Sequence, residues 1–233
     1  MLEYIKNKFK DIKDFFFPST DTLSQILPLL EAPSPSSVVE PNVLDQPDNV
    51  SNLKFFSVIR KDLFNGFISS SQVKGINAIL SSWKAKYSEN DIRFLAYALA
   101  TTYHETAKTM TPISEYGHGH GHKYGQIDHN KQMPFGRGYV QLTWTQNYEL
   151  MDNVLNLHGE LIKNYSLALN PDIASEIMFE GMIRGLFTGH KLSNYFNPNT
   201  DNPVGARRII NGLDRAELVA GYYKVFKTAL GAK

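Results

Sequence analysis

The stretch at residues 92–100 constrains the fold most. Ile92, Phe94, Leu95, Ala96, Tyr97, Ala98, Leu99 and Ala100 make it apolar nearly all round. A helix of that kind must be enclosed by other elements rather than lie on a surface. The pattern therefore predicts a buried central helix from Asp91 to about Thr109, started by Ser88 with Asp91. Other helices have to supply the enclosure. One is expected over 53–64, with Phe55, Val58, Ile59 and Leu63 on one side and Gly66 near its end. Ser69 with Gln72 resembles a capping box for the next, which carries Val73, Ile76, Ile79, Leu80 and Trp83. Later helices are expected at about 146–157, 172–187, 203–210 and 214–229, the last capped by Asp214 and followed by Gly231.

Between 110 and 145 the texture changes to glycine, aromatics and histidine. Within it, Tyr139, Val140, Gln141, Leu142, Thr143 and Trp144 have strand propensity and follow Gly136-Arg137-Gly138. The expected fold class is mainly α: an α+β helical domain at 54–233 with a small β element. At 233 residues, 42% of them hydrophobic, the chain is long enough to bury such a core.

The first 53 residues read as a separate arm. Leu2, Ile5, Phe9, Ile12 and Phe16 recur at helical spacing over 1–17, and Pro18 ends the pattern. This segment reads as a packing or partner helix, with a membrane-surface or virion anchor as the alternative. Five prolines and a run of acidic residues with no Lys or Arg before Lys54 make 19–53 a linker. Lysines and acids interrupt the amino-terminal segment, so no apolar signal core is expected there. The expectation is synthesis in a cytoplasm followed by delivery to the cell wall by another agent.

Two carboxylates stand out chemically. Glu105 sits near the end of the buried helix, in Tyr103-His104-Glu105-Thr106. Desolvation favours the neutral form of such a group, which is what a general acid needs. The plainer reading is a helix glutamate satisfied by an arginine. Glu115 lies beyond Pro112, on a loop able to fold back over Glu105. Glycosidases need two carboxylates across a cleft, about 6.5–9.5 Å apart where a water must fit between them. A surface-loop glutamate is the alternative. If 139–144 is a strand, Gln141 and Thr143 share a face and can hold a water or a sugar amide. An ordinary half-exposed strand would have the same pattern.

Taken together, His104-Glu105-Thr106 on its helix, Glu115-Tyr116-Gly117, and 136–144 followed by Asn147-Tyr148 resemble glycoside hydrolase family 19. The likeness is closest to its phage and bacterial lysozyme-like endolysins. Residues 55–87 resemble the start of those domains, and Arg207-Arg208-Ile209-Ile210-Asn211-Gly212 resembles their late Ile-Ile-Asn-Gly motif. The resemblance covers about 54–230. It implies a lysozyme-like fold and hydrolysis of β-1,4 amino-sugar polymers with inversion, without metal or organic cofactor. It implies Glu105 as general acid, Glu115 as general base and Thr143 as the hydroxyl that helps orient water. Gln141, Asn147 and Asn211 match sugar-contacting residues, and Tyr116 and Arg137, inside the same motifs, are expected to bind substrate with them. Plant members carry an arginine in the final helix near the cleft. Residues 217–220 offer none, which leaves Arg207 or Arg208 as substitutes.

The expected substrate is peptidoglycan, with chitin as the alternative within the same class. A virion-associated glycan-binding or structural protein is the alternative of a different class. A net charge of +1 provides no global field for nucleic acid, and a monomer is expected. With no cysteine, thiolate metal sites and disulfides are excluded. The alternating His118, His120 and His122 invite a metal reading, but mobile glycines between them favour substrate contact or a plain exposed loop. His104 reads as a packed histidine, and Trp144 as core or a stacking platform.

Overall fold

A computed structural model describes residues 48–232 of the chain. By contacts the chain divides between Lys54 and Phe55, and the second unit is Phe55–Lys233. The expected helix at 1–17 and nearly all of the expected linker lie outside the described residues. The second unit is helical. Its elements are α1 (Asp48–Asp62, which begins in the first unit), α2 (Ser70–Lys86), α3 (Ile92–Glu105), α4 (Thr145–Val154), α5 (Glu160–Lys163), α6 (Pro171–Arg184), α7 (Pro203–Ala206) and α8 (Ala216–Ala229). Two small antiparallel pairs accompany them: β1 (Ile113–Ser114) with β2 (Arg137–Gly138), and β3 (Phe196–Asn197) with β4 (Thr200–Asp201). Among the described residues no helix is long and apolar enough to cross a membrane.

The central helix is α3. Every residue from Phe94 to Tyr103 is buried, and Ile92 alone among the large apolar residues of this helix is exposed. Its enclosure comes from α8, which packs along it, and from α2 and α6, which pack on each other and on it. Aromatic rings fill the seams: Tyr97 lies against Phe196 and Tyr223, and Trp83 and Tyr87 lie against Phe179. Such ring pairs add to the burial of their own large area.

Local chemistry sets the boundaries. Ser69 and Gln72 form the expected capping box, each side chain accepting from the other's backbone N–H. Asp91 caps α3 by accepting from the Arg93 N–H. That helix stops at Glu105 rather than near Thr109, because Ala107, Lys108 and Met110 take positive φ and turn the chain toward β1. Asp214 is not the cap of α8; Arg215 occupies that position in the left-handed region without a side-chain cap bond. The expected helix at 203–210 is split into α7 and a 3-10 turn, Arg207–Ile209.

The strand expected at 139–144 is a turn. Only Arg137 and Gly138 pair with β1, and the chain then doubles back so that Arg137 bridges to Leu142. Gly138 at φ 91° and Gln141 at φ 54° lie within the reversal, and Trp144 at φ 76° follows it. A chain that reverses within six residues has no common strand face, so the alternation argument does not hold for Gln141 and Thr143.

Candidate active site

Glu105 is the last residue of α3 and is 2% exposed. Its Oε1 accepts from Arg207 Nη1 at 2.5 Å, and Arg207 is 1% exposed. The plainer reading of Glu105 as an arginine-paired helix residue therefore holds geometrically. Arg207 comes from the 3-10 turn after α7. Its Nε donates to the Asp214 carbonyl, while Asn211 N–H donates to the Arg207 carbonyl. Those bonds tie buried Asn211 to the arginine that meets Glu105. On α3, Tyr97 and Thr101 precede Glu105 at helical spacing. Their hydroxyls are buried without a hydrogen-bond partner, and burial pushes the Tyr97 phenol upward, partly offset by the nearby Arg207.

The other carboxylate is built around Gly136. Glu115 follows β1, and its N–H donates to the Gly136 carbonyl at 2.7 Å. Gly136 N–H in turn donates to Glu115 Oε2 at 2.9 Å. A Cβ on Gly136 would stand 2.8 Å from Gln141 Oε1 and 3.3 Å from Thr143 Oγ1. Glycine at this position thus lets Glu115, Gln141 and Thr143 converge. The strand argument was wrong about geometry, yet the tight turn brings the same two polar side chains together.

Each remaining candidate has a definite setting. Thr143 donates its hydroxyl to the Gln141 carbonyl at 2.8 Å, which leaves lone pairs to accept from a water. Gln141 Nε2 bonds the carbonyls of Ile113 and Gly138, stitching β1 to β2, so its Oε1 is the atom turned toward Gly136. Asn147 Nδ2 donates to the Thr143 carbonyl from the first turn of α4. Tyr116, beside Glu115, is 77% exposed.

Arg137 is turned inward. Its Nη1 bonds the carbonyls of Met133 and Phe135 and meets the Tyr148 hydroxyl, and its guanidinium lies 3.5 Å from the Phe135 ring centre. These contacts clamp the loop from within.

The histidine run is a folded loop. His118 stacks on Phe135 and His122 on Tyr124, at 4.5 and 4.9 Å between ring centres. Gly119 and Gly125 pack backbone to backbone, closer than any Cβ would allow. Among the described residues no three His, Cys, Asp or Glu gather as a metal site would require. His104 is largely packed, beside Tyr222, and burial pushes its imidazole below its ordinary value. Trp144 packs its edge against Tyr124 at 5.2 Å.

Sequence reasoning offered Arg207 only as one of two substitutes and passed over Gly136 and Tyr124. Gly136 carried a signal in its Gly-x-Gly context; Arg207 lies 102 residues from Glu105, and no local pattern links them.

Solved structures that share this architecture include chitinases. Chitinase C from Streptomyces griseus HUT6037 superposes with a TM-score of 0.55 at 21% identity, covering 87% of this chain and 85% of that one. The fold is that of the family 19 chitinases. A mutant of chitinase C gives 0.51 at 20% identity over 87% and 85% of the two chains. A bacterial family 19 chitinase gives 0.50 at 20% identity, over 78% of this chain and 94% of that one. No protein-family profile matches the chain, and no curated protein is similar to it in sequence at a significant level.

Proposed function

We propose that this protein is a glycoside hydrolase that cleaves β-1,4 bonds of peptidoglycan by an inverting acid–base mechanism. The observation that carries the reading is the convergence of Glu115, Gln141 and Thr143 on Gly136, on a fold shared with chitinases. Glu105 acts after taking up a proton, which it then donates to the glycosidic oxygen as the bond to the anomeric carbon breaks. The leaving sugar departs with a new hydroxyl, and Glu105 is left as a carboxylate that Arg207 stabilises.

A water gives one hydrogen bond to Thr143 Oγ1 and its proton to Glu115. Its oxygen attacks the anomeric carbon from the face opposite the leaving group, so the product has the inverted configuration. Asn147, Asn211 and Gln141 Oε1 are polar contacts for the sugars, and Tyr116 offers an exposed ring for stacking. No metal or organic cofactor enters these steps.

The choice of peptidoglycan rests on the endolysin-like motifs. A second reading, hydrolysis of chitin, is favoured by the structural neighbours, which are chitinases. The test is product release from purified peptidoglycan and colloidal chitin side by side, with the anomer of the first product read by NMR. Reducing ends from peptidoglycan with inverted configuration are expected. Release from chitin alone moves the protein to the second reading. Binding to either glycan without release would favour a virion or wall-binding protein that does not turn over.

A further inference from the structure

We propose that Tyr124 is a positioning residue for Glu115, and that the histidine-glycine loop exists to deliver its hydroxyl. The inference rests on the reading of Glu115 as the general base. Glu115 is gripped at both carboxylate oxygens: Gly136 N–H donates to Oε2 at 2.9 Å, and Tyr124 O–H donates to Oε1 at 3.1 Å. A base that must take a proton from a water at a fixed place gains from donors that hold its plane. The backbone donor is part of the β1–β2 pairing. The phenol is brought from a separate loop.

That loop is built around the ring. Tyr124 is 7% exposed although its neighbours His120, His122 and Lys123 are exposed or half-buried. His122 lies flat on one side of it at 4.9 Å and 8°, and Trp144 meets it edge-on. The residues after it are held by Gly125, whose Cα fits under Gly119 where a Cβ would reach the Gly119 carbonyl at 1.9 Å. Gly119 itself has φ 72° and would meet Gly125 and the Tyr124 ring if it carried a side chain. The same loop stacks His118 on Phe135, next to Gly136, so both donors to Glu115 are backed by a histidine. This gives the histidine run a mechanical purpose without metal or direct contact with substrate.

The test is Tyr124→Phe, alone and in a Glu115→Gln background, assayed on whichever of peptidoglycan or chitin the wild type cuts. Phenylalanine keeps the ring stacks and removes only the hydroxyl. Loss of a hydrogen bond to a charged group predicts a fall in kcat of about 10- to 100-fold. KM should stay within about twofold and the melting midpoint unchanged. In the Glu115→Gln background the same substitution should cost little, because the group it serves has already gone. An equal fall in both backgrounds would overturn the proposal, as would wild-type kcat in Tyr124→Phe. A fall in kcat that comes with a lowered melting midpoint and a raised KM would show a structural residue and also overturn it. Near-wild-type turnover of Glu115→Gln alone would instead remove the base assignment, and the positioning role with it.

Discussion

Arg207 makes its ion pair with Glu105 where both side chains are out of solvent. Such a pair is costly to break from one side, since the survivor remains buried and charged. Arg207→Ala should therefore destabilise the fold by about 3–5 kcal/mol in urea unfolding. Glu105→Gln, which keeps shape and hydrogen bonding, should cost far less. Equal stability of Arg207→Ala and wild type would show that the pair is not formed in solution. At this scale the carboxylates were legible because each has a local context, a buried helix end for one and a post-proline loop for the other. The arginine was not, since proximity across 102 residues is a product of packing. Gly136 was hidden for a different reason: its value lies in the atom it lacks, which shows only when Gln141 and Thr143 are seen beside it.

Among elements, the helices were read well and the β segment poorly. An all-apolar run such as that in α3 admits one solution, burial, and the capping box at Ser69 marks its helix start chemically. Tyr139 to Trp144 carry β-formers, but strand propensity reflects fit to a pleated neighbour, and here the neighbouring strand is two residues long. The turn prevails, and Gln141 and Trp144 take positive φ without being glycines. Cap chemistry also yields a pH prediction. The Arg93 side chain is the main cause holding the Asp91 carboxyl below its ordinary value of 3.8, against desolvation. A carboxyl depressed in the folded state adds stability that is complete above pH 3.8 and is lost as pH falls through the folded value. Asp91→Asn keeps the cap but not the charge. It should be less stable than wild type by about 0.5–1 kcal/mol at pH 7. The gap should close below pH 3.8 in denaturant titrations; a gap that persists there would mean that the charge contributes nothing.

Across the whole molecule, helices enclose α3, and from its end the chain runs on to the irregular region that carries Glu115. The turn from 106 to 112 connects the two. Thr106 Oγ1 caps it by accepting from the Met110 N–H, and Gly75 on α2 permits the Met110 carbonyl to approach closer than any side chain would allow. The helical part of the fold thus holds the proposed acid, and a loop pinned at Gly136 and Tyr124 holds the proposed base. The central claim is that these two carboxylates do chemistry, and the most direct test is turnover by Glu105→Gln. Reducing ends released from the wild type's glycan should fall by about 100-fold or more, with unfolding midpoint and glycan binding retained. A folded Glu105→Gln protein that releases reducing ends at the wild-type rate would contradict the account, leaving Glu105 as no more than the buried partner of Arg207.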